Sequence, residues 1–272
     1  RSLKQSTIRR WGPWLALVLL FAIATSLLSW WQFSRRAERV ERIDQVIQNY
    51  DLEPVPYSDI DWVINPDGTS DQEWTPVEVT GTYLPELATV VRNRPLNGQP
   101  GFLQLVPLRL PSGELLIIER GWLFASSELV TPDSNPLPSG EEHSLTLRLR
   151  VSEPDLNRED VPGQIASIDL PRLAERFANS GEVIEEHYGR MVTEEPSYQD
   201  APFPMPKPTL NEGNHLSYAI QWIIFGVMAF AAFFWALRND RRIRLEEAGL
   251  IQPKQQKRTQ AVIDAEYEDL NQ

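Results

Sequence analysis

Two long runs of apolar residues without a charged side chain lie near the two ends of the chain. Residues 11–34 carry no Asp, Glu, Lys or Arg over 24 positions, and residues 216–237 carry none over 22. At about 1.5 Å rise per residue, a helix of the shorter run is roughly 33 Å long, enough to cross a hydrocarbon layer of about 30 Å. The pattern therefore predicts two transmembrane helices with a large segment between them.

That segment is dominated by short apolar or alternating stretches typical of β-strands. Residues 102–110 and 114–122 are apolar on both faces and are separated by Pro111-Ser112-Gly113, which predicts a hairpin inside a sheet that is covered on both sides. Residues 144–151 alternate Leu or Val with Thr and Arg, the pattern of a half-buried strand. Further strands are predicted over residues 77–81, 89–91 and 183–192.

Helical spacing occurs at two further places. Apolar residues about three apart across residues 35–49 predict that the first helix continues beyond its apolar run. Asp169, followed by Pro171, predicts a capped short helix over residues 171–179. Residues 201–208 alternate with Pro and are expected to be extended.

Together these elements predict a membrane protein in which two transmembrane α-helices flank an α+β domain built mainly on an antiparallel β-sheet or barrel. The expected division is a cytoplasmic N-terminus over residues 1–10, a span over 11–34, an exported β-rich domain over 35–214, a span over 215–237 and a partly disordered cytoplasmic tail over 238–272. An exported segment of this length can bury a core of its own.

The charge distribution sets the expected orientation. Residues 1–32 carry a net +4 and residues 33–217 a net −16, within a total of −12. Basic residues precede the first run and follow the second, which favours a plasma-membrane protein with both ends cytoplasmic and the central domain on the outer or periplasmic side. Four arginines within residues 35–42 conflict with this orientation, but the outer flank of the second run has only Lys207 nearby. An acidic domain is repelled by nucleic acid and by anionic lipid headgroups, so neither is expected to bind it. The lipid bilayer is the predicted partner of the two apolar runs.

A cleaved signal sequence is the alternative for the first run, since Ala22-Ile23-Ala24 resembles a small-residue cleavage site. The apolar run continues past that point through Trp30 and Trp31, as is typical of a retained anchor with tryptophans at the interface. We therefore expect this run to remain as a membrane span.

The chain offers few groups for enzyme chemistry. It has no cysteine, which excludes disulfides, thiolate metal sites and thiol redox chemistry. It has no motif of a serine hydrolase, phosphate-binding loop, zinc protease or dinucleotide-binding fold. Two of the three histidines, His143 and His187, and the paired acids Glu194-Glu195 are expected at the surface or at a strand edge. The sequence therefore predicts a protein that is not an enzyme.

His215 has a different position, because it opens the second apolar run behind Asn211 and Asn214, either of which could cap the helix. Tyr218 and Trp222 follow His215 at helical spacing on the same face. A neutral imidazole above aromatic rings at the membrane boundary is suited to ligate a haem iron. The alternative is a polar residue at the interface, with rings that pack on lipid or on the other helix.

Gln32 and Gln221 are the polar residues nearest the outer ends of the two runs. Either a hydrogen bond between them ties the helices together, or each side chain reaches the interface separately.

Two further groups of residues are candidates for contacts. Arg92 and Arg94 precede a tight turn, where they either bind an anionic group or pair internally with Glu114 or Glu119. Arg120-Gly121-Trp122 ends an apolar strand abruptly, and the glycine indicates a bulge or a close approach of the backbone.

In combination these segments resemble the surfeit locus protein 1 family, whose members are membrane assembly factors for haem–copper cytochrome c oxidase. The resemblance covers nearly all of residues 14–240, with Ser29-Trp30 where the family usually has a glycine-containing step. The matching motifs are Trp31-Gln32 followed by Arg35, Gly81-x-Tyr83, the turn at residues 94–101, Pro107-Leu108, Glu119-Arg120-Gly121-Trp122, and His215-Leu216-Ser217-Tyr218 followed by Gln221-Trp222.

The resemblance implies an assembly factor that assists insertion of haem a into the oxidase catalytic subunit or stabilises that subunit. It implies that haem a binds transiently, with His215 as the iron ligand beside Tyr218 and Trp222. Oxidase subunits, chiefly the haem-bearing catalytic subunit, are the implied partners. The residues expected to contact a partner are Gln32, Arg92, Arg94, Arg120 and Trp122.

Two other interpretations remain open at the level of sequence. One is a structural, oxidase-associated membrane protein that holds a subunit interface without binding haem. The other is an enzyme that uses Arg92, Arg94 and Arg120 around an anionic substrate.

Overall fold

A computed structural model describes residues 2–128, 130–159 and 161–252. The predicted disordered tail beyond residue 252 lies outside this range. Two 3-10 turns, Tyr57–Asp59 and Pro85–Leu87, accompany the helices and strands. The helices and strands, in chain order, are α1 Ser2–Asn49, β1 Val55–Pro56, β2 Pro76–Tyr83, β3 Thr89–Val91, β4 Gly101–Arg109, β5 Leu115–Phe124, β6 Glu142–Val151, β7 Gln164–Ile165, α2 Leu170–Phe177, β8 His187–Glu195 and α3 His215–Glu247.

The chain divides into two compact units, which we call the helix pair and the β domain. Within the described residues, the helix pair comprises residues 2–37 and 213–252, and the β domain comprises residues 38–128, 130–159 and 161–212. Helix α1 runs to Asn49, which confirms the prediction that it continues beyond its apolar run over residues 35–49.

In the helix pair, α1 and α3 lie antiparallel. The Trp11 ring contacts the Phe233 ring at a centroid distance of 5.7 Å, and Ser29 contacts Ala219 near the opposite ends of the two apolar runs. Both helices are long and apolar enough to cross a bilayer, as the charge-free runs predict. Helix α3 extends ten residues beyond the predicted end of its span, to Glu247.

The β domain is a single eight-stranded sheet with the order β1-β2-β6-β8-β5-β4-β3-β7. Strand β2 also pairs with β4 through Thr82 and Tyr83, so five strands form a closed ring of pairings. The ring pairs are antiparallel except β5–β8, and two peripheral pairs, β1–β2 and β3–β7, are parallel. The sheet is therefore mainly antiparallel, as predicted.

Strands β4 and β5 form the predicted central hairpin. Gly113 in its turn has φ +96°, in the region that favours glycine. Almost every residue of both strands is buried. One hydrophobic cluster includes Val79, Leu116 and Leu147, whereas a second includes Ile117 of β5 and Leu173 of α2. The prediction that the hairpin is covered on both sides is confirmed, because a core lies on each face of it.

The remaining predicted elements are close to the observed ones. Strand β6 alternates buried and exposed residues, and α2 begins after Asp169, whose Oδ1 accepts a hydrogen bond from Arg172 N at 3.2 Å. Strand β8 lies about four residues later than predicted, since Val183 makes only an isolated bridge with Leu115 and the regular pairing starts at His187.

Candidate functional site

His215 is the first residue of α3, with Asn214 at the N-cap position. The Asn214 side chain makes no capping hydrogen bond, although its carbonyl accepts from Tyr218 N at 3.1 Å. Asn214 therefore does not cap the helix with its side chain, as one of the two predicted asparagines was expected to do. The imidazole is half-buried.

Within the described residues the His215 ring makes one hydrogen bond, and its partner is on α1. Nδ1 lies 2.9 Å from Oε1 of Gln32. Because an amide oxygen only accepts, Nδ1 donates, and the remaining lone pair of a neutral ring is then on Nε2. Of the two alternatives for Gln32 and Gln221, a bond between them is not present in the described residues, where Gln32 bonds His215 and Gln221 is exposed.

Small residues bring the two helices close enough for this bond. Ser29 is buried and its Oγ donates to the Ala219 carbonyl at 3.0 Å. One heptad along, a Cβ built on Gly226 would lie 3.0 Å from Thr25 Oγ1, so only a glycine fits without displacement. This is the small-residue packing common between membrane helices. Ser29 thus permits the close approach for which the resembled family usually has a glycine.

The aromatic residues near His215 differ in exposure. Trp222 is half-buried and packs edge-on against Phe225 with ring centroids 5.8 Å apart. The Tyr218 side chain is 50% exposed, which places it at the outer surface of the pair. In the described residues no three His, Cys, Asp or Glu side chains converge as a metal site. His215 therefore offers a single nitrogen, Nε2, with no hydrogen bond among those residues, which fits one axial position on a haem iron.

Arg120 lies inside the β domain with only 1% of its surface exposed. Its Nε and Nη2 bond the two carboxylate oxygens of Glu194 at 3.1 and 2.5 Å, and Nη1 bonds Gln104 Oε1 at 2.7 Å. Tyr83 donates to the same carboxylate at 3.4 Å, and burial followed by the Glu194 charge raises the pKa of its phenol. Glu194 is not the solvated acid that the sequence predicts, because it neutralises a buried guanidinium.

The neighbouring residues are buried too. Glu119 accepts from Nε and Nη2 of Arg190 at 3.1 and 3.0 Å. Trp122 is 3% exposed and donates from Nε1 to the Arg94 carbonyl at 2.6 Å. The structure thus places Arg120 and Trp122 within the core, where neither side chain presents a surface that a partner reaches.

Gly121 explains how a strand holds this cluster. The pairing of β4 and β5 shifts at Gln104/Leu105, so that Arg120 is the extra residue of a bulge. A Cβ on Gly121 would lie 2.5 Å from the Phe203 carbonyl oxygen, and Trp122 and Phe203 exchange two backbone hydrogen bonds. The prediction of a bulge or a close approach is confirmed, since both occur.

Arg92 and Arg94 lie together beside a cavity of about 400 Å³. Arg94 pairs with both carboxylate oxygens of Glu153, and Arg92 donates from Nη2 to the Glu159 carbonyl at 2.7 Å. Burial alone would raise the pKa of Glu153, but the bonds from Arg94 and from Ile168 N outweigh it, so that the pKa is lowered. Arg94 thus pairs internally, although with Glu153 rather than the predicted Glu114 or Glu119, whereas Arg92 bonds a backbone carbonyl.

Arg120 is not brought together with these two arginines. The cavity is lined by Arg92, Arg94 and Arg158, whereas Arg120 is enclosed by Glu194 and Gln104. A site in which Arg92, Arg94 and Arg120 converge on an anionic substrate therefore does not form.

The two histidines expected at the surface are both buried. His143 is 1% exposed, with Nε2 2.8 Å from the Tyr198 hydroxyl and Nδ1 2.9 Å from the Glu141 carbonyl. His187 is 6% exposed, and its Nε2 lies 2.8 Å from the Tyr57 hydroxyl. The prediction for His143 is wrong, because acidic neighbours in sequence say little about a side chain that alternation turns inward. His187, expected to be exposed or at a strand edge, is the first residue of β8, but it is not exposed. The signal available was the inward phase of β6, since His143 shares its side with Leu145.

Comparisons with known proteins agree with the motifs. The model of the SURF1 family, the family that the sequence resembles, matches residues 19–227. An uncharacterised SURF1-like protein of Mycobacterium bovis is 30% identical over 87% of this chain and 88% of its own length, and one of Mycobacterium tuberculosis matches equally. A cytochrome oxidase assembly protein of Saccharomyces cerevisiae is 33% identical over 47% of this chain and 33% of its own length.

Proposed function

Because the chain belongs to the SURF1 family, we propose that it is an assembly factor for haem–copper cytochrome c oxidase and has no catalytic turnover of its own. The name of the yeast relative supports the oxidase role. The proposed partners are the oxidase subunits, chiefly the catalytic subunit that receives haem a. The proposed setting is the cell membrane, with both chain ends cytoplasmic and the β domain on the outer side, as the charge pattern predicts.

Within this role, His215 is the proposed ligand of haem a, which is cargo rather than a resident cofactor. The single observation that carries this proposal is the hydrogen bond from Nδ1 to Gln32, which leaves the Nε2 lone pair available for iron. Tyr218 and Trp222, on the same helix face, are the proposed contacts of the macrocycle. One protein ligand makes a weak and partly open site, which suits a carrier that must release its cargo.

The test is haem retention by the full chain, purified in mild detergent from cells that make haem a. We expect a Soret band in the wild type and its loss in His215→Ala. Gln32→Leu should weaken haem binding roughly 10–100-fold, because it removes the partner that orients the ring. Gln221→Leu is the matched control, since the same exchange at an exposed position of α3 should leave the band unchanged.

Two other outcomes of the haem-retention experiment would change the proposal. A Soret band retained in His215→Ala would contradict the assignment of the ligand. Oxidase subunits that co-purify with a protein free of haem would support the structural role, in which the chain holds a subunit interface without binding haem.

A further inference from the structure

A second candidate site lies in the β domain, in an open cavity of about 910 Å³. Its inner side is formed by the buried or half-buried residues Tyr57, Trp62 and His187, and its mouth by Glu114 and the segment that precedes β8. None of these residues has a place in the proposed haem site, so the cavity can be judged independently of it.

The mouth of the cavity is strongly acidic. Glu114, Glu182, Glu185 and Glu186 line it, and all four are exposed. Among the residues that the structure describes, none of the four forms a salt bridge. Burial is the first cause that raises the pKa of Tyr57, to about 12, and the negative charges of Glu114 and Glu186 raise it further. These carboxylates therefore act electrostatically on a side chain inside the cavity.

The inner side of the cavity carries polar atoms that lack partners. The rings of Trp62 and His187 pack with centroids 4.8 Å apart. Trp62 Nε1 and His187 Nδ1 are buried and have no hydrogen bond within the described residues. His187 itself is only 6% exposed. Since buried polar atoms are nearly always hydrogen-bonded, two orphans in neighbouring rings of one cavity point to a ligand.

We propose that this cavity binds an extended basic segment of a partner protein. The indole N–H of Trp62 can only donate, so its ligand must supply an acceptor such as a peptide carbonyl. The four exposed carboxylates at the mouth attract cations, and Lys or Arg side chains of the same segment can supply them. A metal ion does not fit, because in the described part of the chain no three suitable ligands converge. A basic peptide meets both requirements with one chain.

The binding test uses the full chain in detergent and a labelled hexapeptide of alternating Ala and Lys. We expect it to bind with a salt-dependent affinity, and a peptide with Glu in place of Lys not to bind. The variant E182Q/E185Q/E186Q should bind the Lys peptide roughly tenfold more weakly, since each exposed pair contributes a fraction of a kcal/mol.

The matched control is E78Q/E86Q/E142Q, which changes the net charge by the same amount at exposed positions outside the cavity. This control should bind as the wild type does. Equal loss in both triple variants would overturn the proposal, because it would indicate attraction to the domain as a whole. Absence of binding to the wild type would overturn it as well.

A second variant tests the donor separately from the charges. Trp62→Phe keeps an aromatic ring but removes the N–H, so we expect affinity roughly 2–10-fold lower with an unchanged salt dependence. Unchanged affinity would contradict the role of the indole. Spermidine, a cation without carbonyl groups, should compete weakly, and competition as strong as that of the Lys peptide would overturn the assignment to a peptide.

Discussion

The helix pair and the β domain each hold a polar group in an apolar setting, but they satisfy it differently. In the β domain, three nitrogens of Arg120 are bonded by Glu194 and Gln104. In the helix pair, His215 has one bond, to Gln32, and its second nitrogen has no hydrogen bond among the described residues. The bonds of Arg120 are therefore satisfied within the fold, whereas His215 keeps a nitrogen that a ligand could bind.

The same criterion separates the three histidines. Both nitrogens of His143 have partners, which assigns it to the structure of the domain. His187 and His215 each have one nitrogen without a hydrogen bond in the described part of the chain, and each lies in a candidate site. The position of a histidine in the sequence does not show whether it is structural or lies in a candidate site. The partners of its ring nitrogens show this.

The largest effect is expected from breaking the buried ion pair. Arg120→Ala leaves the Glu194 carboxylate buried without its cation, so the free energy of unfolding should fall by about 3–5 kcal/mol. Chemical denaturation of the full chain followed by tryptophan fluorescence measures this. Lys207→Met, which breaks the exposed pair with Asp51, is the control and should cost about 0–1 kcal/mol.

The double variant Arg120→Met/Glu194→Met sharpens this comparison. It removes both charges at once, so it should be more stable than Arg120→Ala. If Arg120→Ala were as stable as the wild type, Arg120 would not have the structural role that its burial indicates.

A second prediction concerns pH, because burial lowers the pKa of His187 from 6.5 to about 4. Between these values the unfolded chain binds a proton that the folded chain does not, so stability is complete above pH 6.5 and declines as the pH falls towards 4. The shift corresponds to a loss on the order of 3 kcal/mol. His187→Gln should lack this part of the pH dependence when unfolding is measured at both ends of the range. Parallel wild-type and variant curves would show that His187 titrates normally in the folded domain.

The smallest effect is expected at the helix contact. Gly226→Val places a branched side chain against Thr25, which should separate α1 and α3 locally at a cost of about 1–3 kcal/mol. Ala232→Val, which enlarges a side chain at an exposed position of α3, is the control. Because the chain has no cysteine, spin labels on Leu28→Cys and Ile220→Cys report the distance between the helices. The distance between the labels should increase in Gly226→Val and not in the control. Equal distances in the two variants would contradict the close packing of α1 and α3.

Local pattern was sufficient for most of the fold. Charge-free runs, period-two alternation and the Pro-Ser-Gly turn depend on neighbours in sequence, so the two long helices, the β4–β5 hairpin and strand β6 could be predicted. The position of β8 could not, because residues 183–192 are compatible with several registers and the antiparallel pairing with β6 selects one. The closing pair β2–β4 joins distant residues and has no local signal.

The sequence by itself determined that two apolar helices flank a mainly antiparallel domain and that His215 begins the second helix, because period and charge are local properties. Only the tertiary structure decided that Gln32 rather than Gln221 holds His215, that Glu194 neutralises Arg120, and that His187 lies in an acidic cavity with an unpaired nitrogen. These contacts join residues far apart in the chain, and a hydrogen bond depends on distance in space rather than on the residue types alone.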